Sequence, residues 1–145
     1  MKRKINLFLT LCLSLMCALC LFACGKKDKS TLVCSLVEST ETRVVISVTD
    51  AGKNCTLLDC MEKLKQSEEN FTFEYAGGMI TSINGVVNPV DFSKCWMSYT
   101  SDAEMANTAW GTVEYNGATL GSAIVGADSL VIIDGAIYVW EFVSV

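Results

Sequence analysis

From Met79 to Tyr99 the chain alternates apolar and polar residues into Asn84-Gly85, is interrupted at Pro89, and resumes as an aromatic run from Trp96. That pattern reads as two strands of one sheet joined by a loop too long for a tight hairpin. Strand-like segments surround it. Thr42 to Thr49 sets Arg43, Val45, Ser47 and Thr49 on one side and Val44, Ile46 and Val48 on the other. Its β-branched content suits a pleated, half-buried surface. Phe71 to Tyr75 alternates aromatics with polar residues, and Gly77-Gly78 turns the chain into the Met79 stretch. Thr112 to Tyr115 and Ala118 to Leu120 flank Asn116-Gly117; Ser129 to Ile133 and Ala136 to Val145 flank Asp134-Gly135. Both dipeptides are hairpin signals. The last run sets Tyr138, Trp140 and Phe142 on one side, an aromatic face for a core.

A single helix interrupts the strands. Thr56 offers an N-cap hydroxyl with Asp59 three positions on, a variant of the capping box. Leu57, Cys60, Met61 and Leu64 recur at helical spacing, and Glu62, Lys63, Lys65 and Gln66 cover the outer side. One helix and five to seven strands make an α+β domain, with the helix on one face of a mixed, β-grasp-like sheet. Only that helix is available to cover the sheet, so one face is expected to be buried.

Residues 1–23 stand apart from this domain. Lys2, Arg3 and Lys4 precede an apolar run from Ile5 to Phe22, and Leu21-Phe22-Ala23-Cys24 closes it. This is the order of a secretory signal peptide. The closing four residues resemble the bacterial lipobox, with Phe22 where a small residue is more usual. The resemblance makes Cys24 the acylated (palmitate-bearing) first residue after cleavage, 24–31 a lipidated, flexible tether, and 32–145 the domain. An uncleaved anchor is the other reading of Ile5 to Ala23, which is just long enough to span hydrocarbon. The Gly-Lys-Lys-Asp-Lys-Ser run after Cys24 favours the tether. Both readings put the domain at the outer face of the cytoplasmic membrane.

All 16 acidic residues follow Cys24 while three of the 11 basic ones precede it, leaving a mature balance of eight against sixteen. A surface so acidic excludes nucleic acid as partner. The sequence has no His, which removes His-based catalysis and His ligation of metal. Asp59, Glu62, Asp91, Asp102, Glu104, Asp128 and Asp134 share no spacing that forces two of them onto one site, and solvation accounts for them. A cysteine nucleophile at Cys34 or Cys95 would lack its usual base. The chain therefore reads as a non-enzyme with no cofactor or metal site. Cys34, Cys55, Cys60 and Cys95 permit two disulfides in any of three pairings, or remain buried free thiols. Trp110, between a polar loop and Gly111, is placed for exposure and contact with a ligand or partner.

Thr56-Leu-Leu-Asp-Cys-Met-Glu-Lys-Leu, Gly78-Met-Ile-Thr-Ser-Ile-Asn-Gly, Trp96-Met-Ser-Tyr, Tyr115-Asn-Gly and Asp134-Gly-Ala-Ile-Tyr-Val-Trp-Glu-Phe occur in that order. Together they resemble the landmarks of the transcobalamin C-terminal-like domain of bacterial surface lipoproteins, over about Arg43 to Val143. Ser101 to Val113 looks like an insertion relative to that pattern. The resemblance implies a lipid-anchored, extracytoplasmic binding module with cobalamin or a related corrinoid as ligand. The helical barrel that completes the animal B12 carriers is missing from this chain. The resemblance also implies that Trp96 and the loop from Asn84 to Lys94 lie nearest a ligand, and Tyr99, in the same landmark as Trp96, is a further candidate contact. The alternative is a structural or protein-interaction domain of the cell envelope that binds no small molecule.

Overall fold

Val44, Val45, Ile46 and Val48 of one strand are all fully buried, so the sheet is covered on both faces rather than one. The computed structural model describes residues 31–145. The expected signal peptide, Cys24 and nearly all of the tether lie outside the described residues. Nine strands and one helix follow in order. They are β1 (Val33–Ser39), β2 (Arg43–Asp50), α1 (Leu57–Ser67), β3 (Phe73–Ala76), β4 (Met79–Ile83), β5 (Val86–Val87), β6 (Lys94–Thr100), β7 (Ala106–Tyr115), β8 (Ala118–Ala123) and β9 (Ile137–Ser144). Six form one sheet in the order β1-β2-β9-β6-β8-β7, and three form a second, β3-β4-β5. Every pairing is antiparallel. The class is α+β, as expected. The strands are more numerous than the expected five to seven, and no parallel pair makes the sheet mixed.

The helix forms as its sequence dictates. Asp59 N–H donates to Thr56 Oγ1 at 3.3 Å and Thr56 N–H donates to Asp59 Oδ2 at 2.8 Å, a reciprocal capping box. Leu57, Cys60, Met61 and Leu64 are its buried stripe. They join Val44, Ile46 and Val48 of β2, Tyr138 and Trp140 of β9, Trp96 of β6, and Phe73, Ile80 and Ile83 of the small sheet in the main core. The aromatic side of the last strand is thus the core side. Among the described residues no helix is long and apolar enough to cross a membrane.

Across the sheet, Val45, Val139 and Tyr99 form a second cluster with Val113 and Leu120 of the β7–β8 hairpin. The hairpin reaches back far enough for Arg43 Nη2 on β2 to donate to the Glu114 carbonyl at 2.7 Å. This fold-back covers the second face, a role that the sequence pattern assigned to no element. β7 takes up much of the segment read as an insertion. Its register with β8 jumps from Asn107↔Ser122 to Thr112↔Gly121, so the intervening residues bulge out, and Gly111 sits there at φ 133°.

Two turns differ from expectation. At Asn84-Gly85 both residues have positive φ, 49° and 81°, the geometry of a two-residue hairpin turn. The chain therefore returns at once as β5, and β4 and β6 lie in different sheets. At Asp134-Gly135 the turn is real but joins no hairpin. Gly135 N–H donates to the Val48 carbonyl at 2.8 Å and Asp134 Oδ1 accepts from Ala51 N–H at 2.7 Å. These bonds dock the turn on the end of β2, and the segment before it makes only a single bridge, Thr56↔Val131.

Candidate functional site

β6 pairs with β9 along its whole length, but with β8 only at Tyr99 and Thr100. Beyond Ala123 the chain leaves β6, with Ile124 N–H donating to the Met105 carbonyl at 3.0 Å. A cleft of about 250 Å³ opens at this parting. Trp96 and Ser98 of β6 and Trp140 of β9 form its floor. Met79 and Ile80 of β4 wall one side, and Ile124 and Val125 the other. Beside that wall two stretches of the chain approach closely: a Cβ on Gly126 would stand 3.0 Å from the Gly78 carbonyl.

Asn88 fixes the small sheet to β6 at the edge of this cleft. Its Nδ2 donates to the Ile80 carbonyl at 3.0 Å, and its Oδ1 accepts from Trp96 N–H at 3.0 Å. Trp96 Nε1 donates to the Val86 carbonyl at 2.8 Å, and its ring lies 5.4 Å from that of Phe142. Trp96 is 4% exposed and fully satisfied. Trp140 is as deeply buried, yet its Nε1 has no partner among the described residues. A buried, unsatisfied donor costs about 1–3 kcal/mol.

The four residues implied as ligand contacts do not come together. Trp96 lines the cleft. Tyr99, three positions on, faces the opposite side of the sheet because side chains alternate along a strand. There burial, with Glu141 and Cys95 nearby, raises its hydroxyl pKa. Asn84 is a turn residue whose Oδ1 accepts from Thr72 N–H at 3.0 Å and whose Nδ2 donates to Ser39 Oγ at 2.8 Å. Trp110 stands 62% exposed on the β7 bulge, remote from the cleft's lining. Met79, Ile124 and Trp140 were not among the residues picked from the sequence. The run of small residues after Leu120 was the one local signal of a gap beside them.

Five of the seven candidate carboxylates, Asp59, Asp91, Asp102, Asp128 and Asp134, are engaged in local structure. Asp59 caps α1, and Asp102 Oδ1 accepts from Glu104 N–H at 3.0 Å. Asp128 accepts from the Tyr75 hydroxyl at 2.9 Å, a contact that raises the Tyr75 pKa. Hydrogen bonds from Ser93 hold Asp91 below the usual carboxylate range. Among the described residues no three His, Cys, Asp or Glu side chains group as a metal site. All four cysteines there are free thiols. Comparison with protein-family models, with curated proteins and with solved structures finds no match.

Proposed function

We propose that the chain is a non-enzymatic binding module, held by a lipid on Cys24 at the outer face of the bacterial cytoplasmic membrane. Its site is the cleft between the two sheets. The observation that carries this reading is the Trp140 indole N–H, buried beside an apolar cleft without an acceptor. That atom is closed to solvent, so a ligand that lays an apolar edge on the cleft floor reaches it with an acceptor once the cleft wall moves outward. A corrinoid is the ligand to test first. The resemblance to transcobalamin-like domains implies it, and the amide groups around a corrin ring supply acceptors. A cleft of about 250 Å³ takes the rim of such a ligand and leaves the rest outside. Support for a β-grasp-like shape comes from the N-terminal hairpin, the helix after it and the last strand inserted mid-sheet. The likeness is one of layout, since the strand directions are antiparallel.

The test is equilibrium dialysis of the full chain in detergent against cyanocobalamin, with Trp140→Phe as comparison. Phe keeps the ring and removes the donor. Saturable binding weakened by the substitution is expected; no binding up to high micromolar ligand sinks the corrinoid reading.

The second reading, a domain that docks with an envelope protein, is favoured by the loop between β5 and β6. Val87, Val90 and Phe92 expose their side chains there, Val90 by 97%. Membrane pull-down with the tethered chain should then recover one stoichiometric partner, lost in Phe92→Asp.

A further inference from the structure

Two cysteines meet where α1 lies against β1. Cys34, on β1, is half-buried, and Cys60, in the first turn of α1, is fully buried. Cys34 Sγ donates to the Cys60 carbonyl at 3.7 Å, which brings the two residues into contact. Lys63, one helical turn beyond Cys60, anchors Nζ on the Leu32 carbonyl, beside Cys34. The surroundings act oppositely on the two groups. The Cys60 thiol as donor, with help from the Lys63 charge, lowers the Cys34 pKa against the effect of burial. The Cys34 neighbour and burial both raise that of Cys60. An accessible thiol that ionises early beside a buried one that ionises late is the arrangement of an attacking and a resolving cysteine.

We propose that Cys34 and Cys60 form a reversible dithiol–disulfide pair which, oxidised by a small-molecule disulfide, staples the edge strand β1 to α1. The Cys34 thiolate attacks one sulfur of the oxidant and expels its other half as a thiolate. Cys60 then gives up its proton and attacks the Cys34 sulfur, forming the Cys34–Cys60 bond and expelling the second half. Two protein thiols lose two electrons and two protons, and one small disulfide becomes two thiols. The staple joins β1, an outer strand with one neighbour, to the main core, and closes the β1–β2–α1 segment as a loop. Cys55, half-buried against the same core as Cys60, is the competing partner.

The reduced full chain, in detergent, is incubated with oxidised glutathione, alkylated and mapped by mass spectrometry. Cys55 and Cys60 share the tryptic peptide Asn54–Lys63, so a second cleavage before Asp59 separates them. The expected product links Cys34 to Cys60, forms undiminished in Cys55→Ser and is lost in Cys34→Ser. Its thermal midpoint rises on oxidation and returns on reduction. The proposal is overturned by a lasting glutathione adduct on Cys34 with Cys60 still reduced, by a Cys34–Cys55 link, or by oxidation that leaves the midpoint unmoved. Mapping of the unsubstituted chain decides among these even if a variant fails to fold.

Discussion

On one face of the six-stranded sheet, Val44, Ile46, Tyr138 and Trp140 lie beneath α1, the small sheet and the segment from Ala127 to Ala136. On the other, Val45, Val139 and Tyr99 lie beneath a single folded-back hairpin. The same strands supply both floors, and only the covers differ. A cover assembled from several pieces has seams, and the cleft over Trp96 and Trp140 is one of them. A cover made of one hairpin leaves a recess at its base, but one lined by small and polar residues such as Thr100, Asn107 and Thr119. The aromatic face therefore carries the candidate site, and the hairpin-covered face serves mainly stability.

The same truncation on each face tests this division most severely. Leu64 and Leu120 are both fully buried. Leu64→Ala removes packing from the buried stripe of a helix that sits in the main core with both sheets and is expected to cost about 4–5 kcal/mol, near the top of the range for such changes. Leu120→Ala should cost about 2–3 kcal/mol, because a hairpin can settle into the void more readily than a helix can. Urea unfolding measures both, and equal losses would show that the two covers are equally rigid. Next is Asn88→Ala, which leaves the Trp96 N–H without its acceptor and is expected to cost about 1–3 kcal/mol. Amide exchange should quicken in β4 and β5 and stay unchanged in β7 and β8; a uniform change would mean that the small sheet is not a separate piece.

On the hairpin side, Gly111→Ala has room for its methyl, the nearest atom being Tyr99 Oη at 3.6 Å, but forces a side chain onto φ 133°. The expected cost is about 1–3 kcal/mol, read as a lower unfolding midpoint. Trp110→Ala, at an exposed position, should change stability by no more than about 0.5 kcal/mol and leave binding at the cleft intact. A loss of ligand affinity there would move the site to the hairpin face and invert the comparison.

The sequence spelled out whatever is decided locally. The Thr56–Asp59 cap, the Leu57 to Leu64 stripe, both sides of β2, the aromatic side of β9 and the Asn116-Gly117 turn are all set by neighbours a few positions apart. What escaped reading depends on distant partners. β6 pairs with β9, some forty residues later, and not with β4. The fold-back that buries Val45 begins where β8 holds β6 by only two residue pairs, and no periodicity records so short a pairing. The cleft is a product of that same parting, which is why Trp96 was picked out and Trp140 was not. Tyr99 was grouped with Trp96 because both belong to one landmark of the resemblance, Trp96-Met-Ser-Tyr, although their spacing sends them to opposite faces.

The register break described in β7 has counterparts, and together they fall in a telling place. β1, β7 and β3 are each the outermost strand of a sheet, and each slips against its neighbour: β1 near Val33 and Leu36, β7 after Asn107, β3 at Glu74. The remaining border, β5, is only two residues long. No side of either sheet offers a second molecule a long, even row of backbone donors and acceptors. Copies at high local concentration would thus find no even strand border on which to zip into fibres, so a strand-rich fold need not polymerise.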